Sequence, residues 1–306
     1  MKIKLDLKVP RGWQQCTTAQ LEMIAMEMMR ATMVASTSRF KVYDWAEVKV
    51  RLFFDFTELT ILRQEDDGVF ICQHPSMPDI ELPIETWQVH SWVDQNLRWL
   101  DDEKATMPKM LWPYPKRLWH RPKWWKPWHK EYYRPAGELL DGMKWRQYRK
   151  ISDWMEEYVR RANALIKTRE ERQATAEQLR TLTEREREAR VAVLSLIFDC
   201  PQARAAELNE VEWQVVMFWW SSMTQYLKEQ YPKCFTSGKS KDKGKRRPKR
   251  QPMPIELYTR SMATLEKYLH LSEDQVNAEA AHNILRHLND MAVEAEEMER
   301  IRRKRH

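Results

Sequence analysis

Between Pro108 and Pro135 the chain reads PKMLWPYPKRLWHRPKWWKPWHKEYYRP, and no other stretch limits its fold as strongly. Six prolines lie here; each fixes φ and lacks a backbone donor, so neither a regular helix nor a central strand can run through the segment. Five of the chain's fifteen tryptophans are in it, Trp112, Trp119, Trp124, Trp125 and Trp128, together with Tyr114, Tyr132 and Tyr133. Eight Lys or Arg are threaded among the rings against one acid, Glu131. Rings of this size are costly to leave in water, so the segment reads as an extended strap lying on a surface. That surface belongs either to this chain or to a partner.

The rest of the composition narrows the choice of architecture. Six glycines in 306 residues are too few for the glycine-rich turns of dinucleotide or P-loop folds. Glu, Arg, Lys, Met and Ala dominate instead, which favours helices. The net charge of +7 is concentrated in the strap and in Lys239–Arg250 (KSKDKGKRRPKR), which also carries eight bases and one acid. Without these two segments 36 bases face 43 acids, so an acidic body bears two basic appendages. Four cysteines, Cys16, Cys72, Cys200 and Cys234, have no C-x-x-C spacing, which fits a reducing compartment and offers no zinc or disulfide framework. The first residues, MKIKLDLKV, alternate and contain no apolar leader core. The longest apolar runs, Val191–Phe198 and Val215–Trp220, are too short to cross a bilayer. A cytoplasmic protein without membrane partners is expected.

Periodicity along the chain predicts a mainly α protein in three parts. Residues 1–100 read as a small α+β domain. Residues 1–9 alternate as a half-buried strand. Thr17 and Gln20 form a capping box ahead of a helix bearing Leu21, Ile24, Met28 and Met29. A second helix is expected from Asp44, burying Val48, Leu52 and Phe56. Asp67-Gly68 marks a hairpin between Leu59–Gln64 and Val69–Gln73. Pro75, Pro78 and Pro83 mark loops, and Ile84–Leu100 reads as a helix. The strap occupies 101–142. Residues 143–306 form a bundle of five helices, with a basic disordered loop near 236–254. In that bundle Asn209 and Glu212 cap the helix Val211–Gln230, and Ser272 caps a long last helix.

Few residues suggest chemistry. Glu279-x-x-His282 has the i, i+3 spacing of carboxylate-bridged di-iron bundles, but such sites need a second copy and two further glutamates. A lone pair in a Glu-rich helix is expected by chance, so no metal and no cofactor is predicted. Motifs of nucleophilic, phosphate-binding and zinc-protease sites are missing from the sequence, and the chain reads as not an enzyme. Lys245, Arg246, Arg247, Lys249 and Arg250 are candidate phosphate contacts, or else a solvated loop. Trp112, Trp119, Trp124, Trp125 and Trp128, with Met28 and Met29, are candidate partner contacts; filling of the chain's own grooves and core is the plainer alternative.

The order of features also resembles proteins encoded among the tail genes of phages and prophages of Bacteroides-type bacteria. The likeness rests on Pro10, Trp13, Thr17, Gln20 and Leu21 after a short strand, on PYP at Pro113–Pro115, on W-R-Q-Y-R at Trp145–Arg149, and on A-T-L-x-K-Y at Ala263–Tyr268. The resemblance implies a tail assembly factor or chaperone that binds a phage structural protein, such as a tape-measure or tail-tube component. It would act in the bacterial host cytoplasm or remain with the virion. The alternative expectation is a nucleic-acid-associated protein using the strap and the Lys/Arg loop.

Overall fold

The computed structural model describes residues 9–37, 45–65, 67–101, 133, 138–170, 175–235 and 254–305. All but Val9 of the expected first strand, all but Tyr133 of the strap's Pro108–Pro135 core, and the whole basic tract lie outside the described residues. What is described is mainly helical, with one three-stranded antiparallel sheet. The chain divides into two contact units, Met1–Pro113 with Asn209–Ser222, and Tyr114–Leu208 with Met223–His306.

The first unit opens with a turn of 3-10 helix at Trp13–Gln15 and continues into α1 (Thr18–Thr37), α2 (Trp45–Thr57), β1 (Thr60–Gln64), β2 (Val69–His74), β3 (Met77–Glu85) and α3 (Thr86–Asn96). The expected capping box is present: Gln20 N donates to Thr17 Oγ1 at 3.3 Å, and Thr17 N to Gln20 Oε1 at 2.9 Å. Together they satisfy two of the donors that a helix start leaves free. α1 buries Leu21, Ile24 and Ala25, and α2 buries Val48, Leu52, Phe53 and Phe56. At the centre of this core Trp13 meets Trp99 edge-on at 5.1 Å, and the Trp99 indole N–H donates to the Pro10 carbonyl at 3.1 Å. Val215 and Phe218 complete the same core, with Phe218 5.4 Å from Trp13.

The hairpin at Asp67-Gly68 joins β1 to β2 in antiparallel register, and β2 pairs in turn with β3. Pro78 and Pro83, expected in loops, lie inside β3. An edge strand tolerates proline, because a residue whose N–H points away from the ladder loses no hydrogen bond. The helix expected from Ile84 begins at Thr86, since Ile84 and Glu85 finish β3; Arg98–Leu100 then forms a separate 3-10 turn.

The second unit contains α4 (Trp145–Glu170), α5 (Ala176–Ile197), α6 (Gln202–Ala205), α8 (Pro232–Phe235), α9 (Pro254–Leu269), α10 (Glu273–Ala278) and α11 (Ala281–Arg305). The intervening helix α7 (Glu210–Gln230) contributes its earlier residues to the first unit and its later ones to the second. α4 and α5 form an antiparallel hairpin: Gln147 Nε2 donates to the Leu196 carbonyl at 2.8 Å near one end, and Arg161 Nη1 to the Arg185 carbonyl at 2.5 Å further along. Thr175 and Gln178 make a reciprocal capping box at the start of α5. Asn209 and Glu212 cap α7 as expected, at 2.9 and 2.8 Å.

Ser272 also caps a helix, but a six-residue one. Glu279 is extended (φ −64°, ψ 156°), Ala280 pairs with Lys144 as an isolated β-bridge, and α11 starts afresh at Ala281. Trp145 N donates to the Glu279 carbonyl at 2.8 Å and Ala281 N to the Met143 carbonyl at 2.9 Å. These two long-range bonds break what was expected to be one helix. No helix among the described residues is long and apolar enough to cross a membrane.

Candidate interaction surface

In the first unit the sheet presents two unlike faces. Cys72, Phe70, Leu82 and Ile84 belong to the core. On the opposite face Ile71 is flanked in register by Arg63 and Pro83, and the Arg63 guanidinium reaches over to Glu81 with two bonds of 2.9 and 2.8 Å. That fork leaves Ile71 only 6% exposed without placing it in the core cluster. The same hydrogen bonding holds the Glu81 carboxyl below its ordinary range and pushes Arg63 above its own.

β1 is the exposed margin of this sheet. All five of its residues are exposed, with Ile61 and Leu62 each at 44%, and β2 is its only strand neighbour among the described residues. An open strand edge offers a row of backbone donors and acceptors that an extended segment of another chain can complete. A register shift between Ile61 and Arg63, and the charged Arg63 itself, temper that edge. Trp87, at the start of α3, is 62% exposed, its indole N–H donating to the Glu85 carboxylate.

In the second unit the α4–α5 hairpin carries exposed Trp154, Val159 and Ile166. A shallow cleft runs between the two helices, and Glu157, Arg160, Arg161 and Glu188 along it are engaged with one another. Glu157 accepts from Arg160 and Arg161, and Arg161 also lies 3.4 Å from Glu188. These bonds hold the Glu157 carboxyl below its usual range. These four charged groups, committed to one another, have little left for a ligand.

Two polar clusters among the described residues pin structure. His282 Nε2 sits 2.6 Å from the Leu139 carbonyl and so must donate to it, while Nδ1 faces the Tyr231 hydroxyl at 2.9 Å. Leu139 and Leu140 have φ of 54° and 68°, a left-handed turn that costs non-glycine residues about 1–2 kcal/mol each. His282 fixes that turn. In the first unit Glu27, 1% exposed, accepts from Arg30 at 2.5 Å and faces Arg51 at 3.5 Å, joining α1 to α2.

The residues singled out from sequence are placed unevenly. Met28 is half-buried against the core of the first unit, and Met29 is half-buried. Trp112, Trp119, Trp124, Trp125, Trp128, Lys245, Arg246, Arg247, Lys249 and Arg250 lie outside the described residues. Glu279 and His282 do not converge as ligands. Glu279 accepts from Asn283 at 3.3 Å, and both His282 nitrogens are engaged. Among the described residues no three metal-binding side chains gather. Sequence reasoning passed over β1, Trp87 and the exposed end of α11. Only the last left a sequence signal, an acidic run followed by a basic one. No protein-family model, curated protein or solved structure matches the chain.

Proposed function

We propose that this chain is a non-enzymatic, chaperone-like assembly protein that holds another component of a phage or prophage tail, such as a tape-measure or tail-tube protein. The observation that carries the reading is apolar surface displayed on regular structure: Trp87 at 62% exposure, and Ile61 and Leu62 on the open edge of β1. Large exposed indoles and strand edges favour binding to protein, because they gain both buried ring area and backbone hydrogen bonds from a polypeptide partner. The resemblance to tail-cluster proteins supplies the partner class. The test is co-expression with each tail-tube and tape-measure protein encoded beside this chain, followed by co-purification. Recovery of one of them, lost on Trp87→Ala with Leu62→Arg, is the expected result. Failure to retain any of these partners would remove the proposal.

A further inference from the structure

Ile284 and Leu285 are buried, Leu288, Met291 and Ala292 are half-buried, and every described residue of α11 from Val293 to Arg302 is exposed. The helix therefore leaves the packed part of its unit after Ala292 and continues to Arg305, about 20 Å further at 1.5 Å per residue. On this stretch Lys233 Nζ stands 2.5 Å from the Glu296 carboxylate.

Two features set this end apart from an ordinary solvated helix end. The apolar stripe that is buried at Ile284 does not stop where the packing stops. Ile284, Leu288, Met291, Ala295 and Met298 recur at alternating spacings of four and three, the pattern of a helix–helix seam, and Met298 is 59% exposed with Ile301 beside it at 41%. The charges, moreover, are sorted into blocks. Asp290, Glu294, Glu296, Glu297 and Glu299 come first; Arg300, Arg302, Arg303, Lys304 and Arg305 follow.

We propose that this end of α11 pairs antiparallel with the same segment of a second copy of the chain. Antiparallel pairing sets the acidic block of each copy against the basic block of the other, whereas parallel pairing would set like against like. Placing Met298 against its own copy puts Ala295 opposite Ile301, Glu294 opposite Arg302 and Glu296 opposite Arg300, each twice as a two-fold contact requires, with Glu297 opposite Glu299 as the one like-charge pair it must tolerate. A nucleic acid would use the bases but bring phosphates against five acids, and an anionic membrane would do the same. Basic residues in a last turn also balance the helix dipole, but that role accounts for neither the acidic block nor the apolar stripe. So short a contact falls at or below the roughly 1,200 Å² end of stable interfaces, so the dimer is weak, concentration-dependent and salt-sensitive.

This inference does not rest on the tail-component reading: a chain that binds no tail protein can still pair, and a monomer can still bind one. Sedimentation equilibrium of the full chain, over a concentration series at low and moderate salt, tests it. A reversible dimer is expected, with a dissociation constant rising about tenfold across that salt range. Met298→Glu with Ile301→Glu should give a monomer with unchanged helical circular dichroism, because both side chains are exposed. Glu294→Arg should weaken the dimer, and adding Arg302→Glu to the same chain should restore it, since the swapped charges meet again across the two-fold. A monomer at all concentrations, a dimer indifferent to these substitutions, or a charge swap no better than Glu294→Arg alone overturns the proposal. So does a monomer that binds duplex DNA through Arg302.

Discussion

Glu27 is the sole buried acid among the described residues, and its two arginine partners are half-exposed. Replacing it with Gln removes the charge that both guanidinium groups face, at a cost of about 1–3 kcal/mol. Asp55 should respond in the opposite sense. Burial first, and then the charge on Glu27, raise its pKa, with Arg30 and Arg51 opposing. A carboxyl whose folded pKa is raised stabilises the fold fully below its unfolded pKa, and that benefit is lost as pH rises through the folded value. At pH 7 the native protein therefore carries a penalty that Asp55→Asn lacks. Melting should show the variant more stable than the native protein at pH 7, with the difference shrinking as pH falls towards the unfolded carboxylate range; a variant less stable at pH 7 would contradict this account. The thiols follow the same sign at the alkaline end. Burial pushes Cys16 up to about 12 and Cys200 and Cys234 up to about 11. The stability their neutral forms supply is complete below the unfolded value and lost as pH climbs from about 9 towards 12. Labelling by an aromatic disulfide at pH 8 should be slow until urea unfolds the chain, with half-buried Cys234 reacting first.

Among the elements, those specified by neighbouring residues were legible in the sequence. Thr17 with Gln20, Asn209 with Glu212, and Asp67-Gly68 each name a local hydrogen-bonding pattern, and each forms at the expected place. Pro78 and Pro83 were harder to read, because an edge strand and a loop differ only in what lies alongside. The break between α10 and α11 was not legible at all. Glu279-Ala280-Ala281 is good helix sequence, and the bridge to Lys144 that interrupts it comes from far along the chain. Exposure of Trp87 and of β1 was hidden for a similar reason, since nothing in an apolar side chain states whether another element will cover it. Gly68 tests the local kind of specification. Its φ is +76°, a Cβ there would stand 3.2 Å from Thr86 Oγ1, and its carbonyl accepts the Thr86 N–H at 3.0 Å. Gly68→Ala should therefore cost about 1–3 kcal/mol by denaturant unfolding. A smaller loss would mean that the turn relaxes without disturbing the start of α3.

At the scale of the whole molecule, the instructive feature is α7. Its periodicity marks Trp213, Val216, Met217 and Trp220 as one apolar side, yet the residues around them are apolar as well, and Trp213, Val215, Val216, Phe218, Trp219 and Met223 are all buried. A helix apolar on every side carries no signal of which core each residue enters. Val215 and Phe218 enter the one built around Trp13, Leu52 and Val93, more than a hundred residues earlier in the chain. The first unit is therefore incomplete without residues from Asn209–Ser222. Removing the Phe218 ring leaves a cavity against Trp13 and should cost about 3–5 kcal/mol. Hydrogen exchange measured by fragment locates that loss: amides of α1 and α2 should lose protection in Phe218→Ala, while α5, whose buried residues belong to the second unit and are not members of this cluster, keeps more of its own. A Trp13→Ala variant should reproduce the pattern, and the double variant should lose less than the two single losses combined, because the two rings share one contact. Undiminished protection in α1 and α2 after Phe218→Ala would mean that this unit closes its core without α7.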